Sequence, residues 1–524
     1  MHRLILRQRH AALYYASIVS LGGFLFGFDA SVISGAVSFI VPQFGLNDWQ
    51  LGLVVAAPTL GGIIAAMSGG PLADLAGRKR LLLALALLYT ISAVASAFAP
   101  DYAVLVIARF VGGLAFASLS VAPMYIGEIA PREKRGMLIS VNQLNIMVGF
   151  SVAYFANYFV LQASQSELPW AQALGLDRHA WRWMLGIEAI PAVAWFLLLF
   201  RVPESPRWLV MQRRREDARG VLLRLKPPER VERDLAEIEE SLVDAQEHFL
   251  PRLKEVFLPA MRLPLIIGLV VAIAQQVTGI NAVYFYAPTI FEQSGVGTNA
   301  AFAQATLIGI INVVFTVVAM LLIDRLGRRP LLLIGLAGVV LSMALTGYGF
   351  RQASYELSDA AVAQLSVAID RDALRPLINV PFDDDLAFKR ALREAAGEQA
   401  VREHSAELIQ AAIDVDPVIV LIGILGFVAS FAVSLGPVMW CLLAEIFPNR
   451  ARGPAMAFVG VFNSMASFAV QLVFPWELSN LGNASIFFIY AAFGVAALLL
   501  VAWLLPETKG KSLEELETML GARV

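Results

Sequence analysis

Gly70-Pro-Leu-Ala-Asp74-Leu-Ala-Gly77-Arg78-Lys79 decides the reading of this chain, because Ile323-Asp324-Arg325-Leu326-Gly327-Arg328-Arg329 repeats its pattern in the other half. Two further motifs recur in the same order. Glu128-Ile-Ala-Pro-Arg-Glu-Lys-Arg135-Gly136 is matched by Glu445-Ile-Phe-Pro-Asn-Arg-Ala-Arg452-Gly453, and Pro203-Glu-Ser-Pro-Arg207 by Pro506-Glu-Thr-Lys-Gly510. Asp74 and Glu128 are 54 residues apart, whereas Asp324 and Glu445 are 121 apart. The excess of 67 nearly equals the polar 66-residue segment 351–416. The chain therefore reads as two equivalent halves, one of which carries an insertion.

Working outward, each motif closes an apolar run long enough to cross a bilayer, about 20 residues. Such runs lie at 14–40, 51–72, 81–99, 103–127, 138–161 and 183–201, then at 264–290, 301–323, 330–350, 417–443, 453–475 and 484–505. Hydrophobic residues make up 58% of the 524 and charged residues only 16%, against about 25% charged in soluble domains. Lipid is the expected solvent. A net charge of −2 gives no sign of a nucleic-acid partner. The basic start (Arg3, Arg7, Arg9) leads into an apolar run that holds Asp29 and lacks a small-residue cleavage site, so it reads as a spanning helix. The single cysteine, Cys441, excludes an intrachain disulfide framework and reads as a buried small hydrophobe.

Twenty-nine of the 40 Lys and Arg fall in the first tail, the turns at 73–80, 128–137, 324–330 and 444–452, the loop 202–263 and the last tail. The positive-inside rule places these segments, and both termini, in the cytoplasm. The expected organisation is a six-helix half at 1–201, a cytoplasmic linker at 202–263, a second six-helix half at 264–505 and a cytoplasmic tail at 506–524. Within the linker, Glu229–Phe249 reads as an amphipathic helix after a Pro227-Pro228 break. Segment 351–416 has thirteen acidic and seven basic residues, with Asp359–Ile369 and Leu386–Ile413 helical in pattern. It reads as an extracytoplasmic cap or a flexible acidic loop.

The six paired motifs in register make the chain resemble the sugar porter branch of the major facilitator superfamily. The resemblance implies an all-α membrane protein of twelve helices in two pseudo-twofold halves, located in the plasma membrane. It implies transport of a monosaccharide or polyol, without enzyme activity or cofactor, and a monomer suffices. It also implies that Arg78, Glu128, Arg135, Arg328, Glu445 and Arg452 form a gating network that joins the halves on the inner side when the carrier faces outward, with Asp74 and Asp324 capping the turns.

A charge inside the bilayer costs at least about 2.5–3.5 kcal/mol on insertion scales, so a partner is expected. Asp29 lies inside span one and Arg109 inside span four. In the fold that the sequence resembles these spans face each other, and an acid at this position accompanies proton coupling. Asp29 and Arg109 are thus the expected proton-coupling pair. Glu188 is a weaker second candidate, placed by the hydropathy reading near the external rim.

Sugar recognition needs amides, which donate and accept, and an aromatic ring for the apolar face. Gln275-Gln276-Val-Thr-Gly-Ile-Asn281 supplies three amides, and Gly279 is a point where the helix can loosen. The stretch matches the sugar porter pattern position by position. Gln143, Asn312 and Asn463 add amides, while Trp440 and Phe26 add rings. Ser464 stands after Asn463, where many hexose-carrying relatives have Trp; this leaves pentoses, other hexoses and inositol-like polyols open. The expected function is sugar import by proton symport through alternating access. Alternatives are passive uniport and, from another class, a membrane sugar sensor. The five histidines have no metal-ligand spacing.

Overall fold

The computed structural model describes residues 2–131, 134–243, 255–366, 369–448, 451–511, 515–516 and 519–520. The side chains of residues 2–10, Arg135 and Glu403 lie outside that description. So do residues 244–249 of the expected linker helix.

Among the described residues, twelve helical spans are long and apolar enough to cross a membrane: Ala11–Phe44, Asp48–Ala76, Arg78–Ala97, Tyr102–Ile129, Gly136–Ser164, Leu176–Leu199, Pro259–Glu292, Thr298–Leu326, Arg328–Arg351, Pro417–Ile446, Arg452–Asn480 and Asn483–Leu504. Local chemistry sets their starts. Asn47 and Gln50 form a reciprocal capping box at span two, and Asp101 accepts the Val104 amide at span four. Asp416 caps span ten just before Pro417, whose fixed φ suits a first helical turn.

Spans one and five meet backbone to backbone. A Cβ on Gly27 would lie 2.0 Å from the Ile146 carbonyl oxygen, and one on Gly149 2.1 Å from that of Phe24. Small residues at such crossings replace the hydrophobic drive that helices lack in lipid. Gly27→Val is expected to part these spans, lowering the thermal unfolding temperature in detergent and reducing folded yield. Overpacking of this kind costs about 1–3 kcal/mol or more. An unchanged melting profile would contradict the contact.

The halves meet on the side away from the Arg78 and Arg328 turns. There the Thr59 hydroxyl donates to Gln471 (3.0 Å), Tyr154 to the Tyr284 carbonyl (2.5 Å), and Ser38 to Glu292 (3.0 Å). At the rim, Gln162 and Gln165 hydrogen-bond Asn299, and Trp49 stacks on Trp476 with ring centroids 6.1 Å apart. At the basic end, Gly70, Gly127, Gly136 and Gly453 all face open space. Among the described residues, the hydrogen bonds that join the two bundles lie on the side away from the basic turns, and in that sense the carrier is closed there and parted at the basic end.

Two polar segments fold against the bundle. In the linker, helices Arg215–Leu225 and Pro228–Val243 pack Val221, Leu222, Val231 and Leu235 together and are laced by Arg215 and Arg219 to Glu232. The break falls at the two prolines. Segment 351–416 is folded, with strand Ser354–Tyr355 paired to Ile413–Asp414 and a core containing Tyr355, Leu374, Phe388, Leu392 and Leu408. Helices Asp359–Gln364, Asp385–Ala396, Glu398–Glu403 and Ser405–Ala412 form this cap, which is neither a flexible loop nor two long helices.

Candidate functional site

Three ionisable side chains gather inside the first half. Asp29 and Arg109 are 1% and 2% exposed, and Arg109 Nη1 donates to Asp29 Oδ1 at 2.5 Å while Nη2 reaches the Asp29 carbonyl at 3.3 Å. Gly112 makes room: a Cβ there would stand 2.4 Å from Ser92 Oγ and 3.8 Å from Asp29 Oδ1. Glu188 is buried at the junction of helices Leu176–Gly186 and Ala189–Leu199, where it interacts with both Asp29 and Arg109. It does not sit at the external rim. Asp29 Oδ2 and Glu188 Oε1 are buried without a hydrogen-bond partner. One guanidinium therefore serves two carboxyl groups in a dry setting.

The amides of the second half form a second centre. Span seven breaks at Gly279, with φ +92, so helix Arg262–Val277 ends and Ile280–Glu292 restarts at a new angle. A Cβ there would lie 2.4 Å from the Tyr490 ring, so the break needs glycine in both conformation and space. Across it, Asn281 Nδ2 donates to Gln276 Oε1 (2.6 Å), and Gln276 Nε2 donates to Gln275 Oε1 (3.1 Å) and Asn463 Oδ1 (3.2 Å). Asn463 Nδ2 donates in turn to Gln275 Oε1 at 2.9 Å. The chain of bonds continues from Asn281 to Ser467 (2.6 Å), then from Gln471 to Ser467 (2.8 Å), and meets Thr59 of the first half.

Such amides can exchange their mutual bonds for sugar hydroxyls at small net cost. Ser467, Gln471 and Thr59 escaped the sequence reading. Asn463, Ser467 and Gln471 are four apart, and that helical stripe was the available signal. Asn312 is buried on span eight, one turn beyond Gly309, which packs on Ser151 of span five; it stands apart from the chain of bonds. Gln143 is half-buried on span five. Trp440 is 43% exposed on span ten, and Phe26 packs edge-on against Phe116.

At the basic turns, Arg78 pairs with Glu128 (3.0 Å) and Asp74 (2.8 Å), and Arg328 with Glu445 (2.7 Å) and Asp324 (3.2 Å). These pairs stay within their own halves. Asp74 and Asp324 reach the arginines four residues on, which differs from the expected turn capping. The caps come from elsewhere: Glu204 accepts the Lys79 amide at 3.0 Å, and Glu507 accepts those of Arg328 and Arg329 at 3.2 and 3.1 Å. The neighbouring hydroxyls complete the symmetry, Ser205 donating to Glu128 and Thr508 to Glu445. Arg452 donates to the Phe447 carbonyl, and among the described residues no ion pair of its own joins it to an acid. Cys441 is half-buried against Arg328 and Glu445, a polar setting that the apolar run around it concealed.

The family model described as "Sugar (and other) transporter" matches residues 15–368 and 404–520. The chain belongs to this sugar porter family. It is 35% identical over 502 residues to the arabinose-proton symporter of Bacillus subtilis (strain 168), covering 95% of this chain and 93% of that protein. It is 33% identical over 536 residues to the D-xylose-proton symporter of Escherichia coli (strain K12), covering 96% and 94%. The inward open structure of the xylose transporter XylE from E. coli aligns with TM-score 0.73 at 31% identity, over 96% of this chain and 98% of that one. The transporter thus has the major facilitator fold, is a multi-pass membrane protein that carries sugars, and is not an enzyme.

Proposed function

We propose that this transporter imports a monosaccharide or polyol together with a proton by alternating access, from the plasma membrane, with both termini in the cytoplasm. The observation that carries the proposal is the grouping of two carboxyls with one guanidinium. An unbalanced charge in a dry membrane interior is strongly disfavoured, so Asp29, Glu188 and Arg109 reach neutrality by holding one proton. While Asp29 is ionised, Arg109 holds span four against span one. Protonation weakens the bond and frees the half to rock, which links proton movement to sugar movement. Relatives named as arabinose-proton and D-xylose-proton symporters support this direction.

Sugar contact is assigned to Gln275, Gln276, Asn281 and Asn463, with Gln143, Trp440, Phe26 and Asn312 completing the path between the halves. The test is uptake into proteoliposomes of labelled arabinose, xylose and inositol, with and without an imposed pH gradient. Accumulation of one of them only with the gradient supports the proposal; equal uptake in both conditions overturns symport.

The arginine–carboxylate pairs of the basic turns act as the inner gate. With the halves parted there, each pair is satisfied within its own half; when the inner side closes, the turns approach and share partners across the seam. Several charge-assisted bonds acting together bias an equilibrium of a few kcal/mol. Glu445→Ala is expected to favour the inward-facing state by several-fold. Unchanged reactivity of inner-side cysteines towards labelling reagents would refute the gating role.

A further inference from the structure

The family model leaves residues 369–403 unmatched, and these form the middle of the cap. The cap is anchored to the second half. Lys389 Nζ and Asp385 Oδ2 form an ion pair of 2.9 Å with both side chains 9% exposed. Asp385 also accepts the Asn483 amide at 3.2 Å, and Lys389 reaches the Leu478 carbonyl at 3.4 Å, both at the turn joining spans eleven and twelve. Ile413 covers Gly295, and Gln410 covers Gly297, at the turn after span seven.

The cap's other edge touches the first half. Arg402 Nη1 donates to the carbonyl of Leu46, between spans one and two, at 3.5 Å. Arg402 and Arg393 also face the Asp48 carboxylate, which hydrogen-bonds Ser479 of the second half. Arg402 is itself held by Glu398. One edge is thus a buried ion pair within a cap helix whose two members each hydrogen-bond the backbone of the second half, so that separation would strip partners from two buried charges. The other is a half-exposed arginine on one carbonyl and one carboxylate. The edges differ in strength in the sense a latch needs.

We propose that the cap is a strap that rides on the second half and holds the first half closed on the outer side. Its Arg402 edge must release before the carrier opens outward. The strap thereby biases the sugar-free carrier towards the state parted at the basic turns. This rests on the alternating-access reading above.

Two measurements test it on the full chain in proteoliposomes, with Cys441→Ser removing the native thiol. Asp48→Cys with Arg402→Cys, joined by a short cleavable bifunctional thiol reagent, should lose sugar uptake by about tenfold or more and regain it when the reagent is cleaved. Full uptake in the joined protein, or failure of the pair to join, overturns the strap. Separately, Thr289→Cys replaces a buried hydroxyl that makes no hydrogen bond, on the face of span seven that carries Glu292. Adding Arg402→Ala should raise labelling of Thr289→Cys by an external impermeant maleimide several-fold. An unchanged rate overturns the bias. If the native chain takes up no sugar, the transport reading fails; if only the Cys441→Ser parent is inactive, its contact with Arg328 and Glu445 accounts for the loss, and in either case the labelling rate still decides the strap.

Discussion

Asp29→Asn is expected to abolish pH-driven sugar accumulation while leaving sugar exchange across the membrane intact. A carrier moving one proton per sugar concentrates substrate about tenfold per pH unit, since one unit is worth 1.36 kcal/mol. The variant should therefore fall to an inside-to-outside ratio of about one, whatever the gradient. Asparagine keeps the shape and the hydrogen-bond acceptor that Arg109 Nη1 uses at Asp29 Oδ1. Glu188 remains to balance the guanidinium, so the variant should fold. Counterflow of labelled sugar at equal pH reads the retained exchange. Uphill transport by this variant would remove Asp29 from the coupling role and leave its pair with Arg109 a packing device.

Gln276→Ala carries the second large effect. Gln276 holds three amide bonds at once, to Gln275, Asn463 and Asn281, on both sides of the Gly279 break. Its loss removes a sugar contact and also frees the neighbouring amides from their positions. The two hydrogen bonds that one amide can offer a sugar are worth about 1–3 kcal/mol together, or about a 5- to 150-fold rise in KM. Proton coupling should persist, because the charged centre lies in the other half. A KM within twofold of the parent would move the sugar site away from span seven.

Much of this was legible in the sequence, and the reasons differ by element. The paired motifs fixed the architecture because each recurs beside a helix end, where backbone geometry demands the same Gly, Arg and Glu; Glu204 and Glu507 cap equivalent helices in the two halves. Asp29 and Arg109 were legible because buried charges are rare in lipid and need each other. Glu188 was misplaced because span six begins at Leu176 with an amphipathic turn, Leu176-Asp-Arg-His-Ala-Trp-Arg182, that hydropathy does not register. Starting the span seven residues earlier moves Glu188 from rim to middle. The inner network was expected to join the halves when the carrier faces outward; its pairs are internal to each half in this state, and no sequence reveals which side of a two-state carrier is closed. The cap's fold was illegible for another reason. Its core joins residues far apart in a long insertion, Tyr355 stacking on Phe388 and pairing with Ile413, through contacts that no local period encodes.

Joint crossing of sugar and proton is read directly by luminal pH. Proteoliposomes loaded with a pH dye, clamped at zero membrane potential and given no pH gradient, receive a pulse of the sugar that uptake assays identify. Under proton symport the lumen acidifies as sugar enters, and Asp29→Asn takes up sugar without acidification. Sugar entry at constant luminal pH in the parent would contradict it.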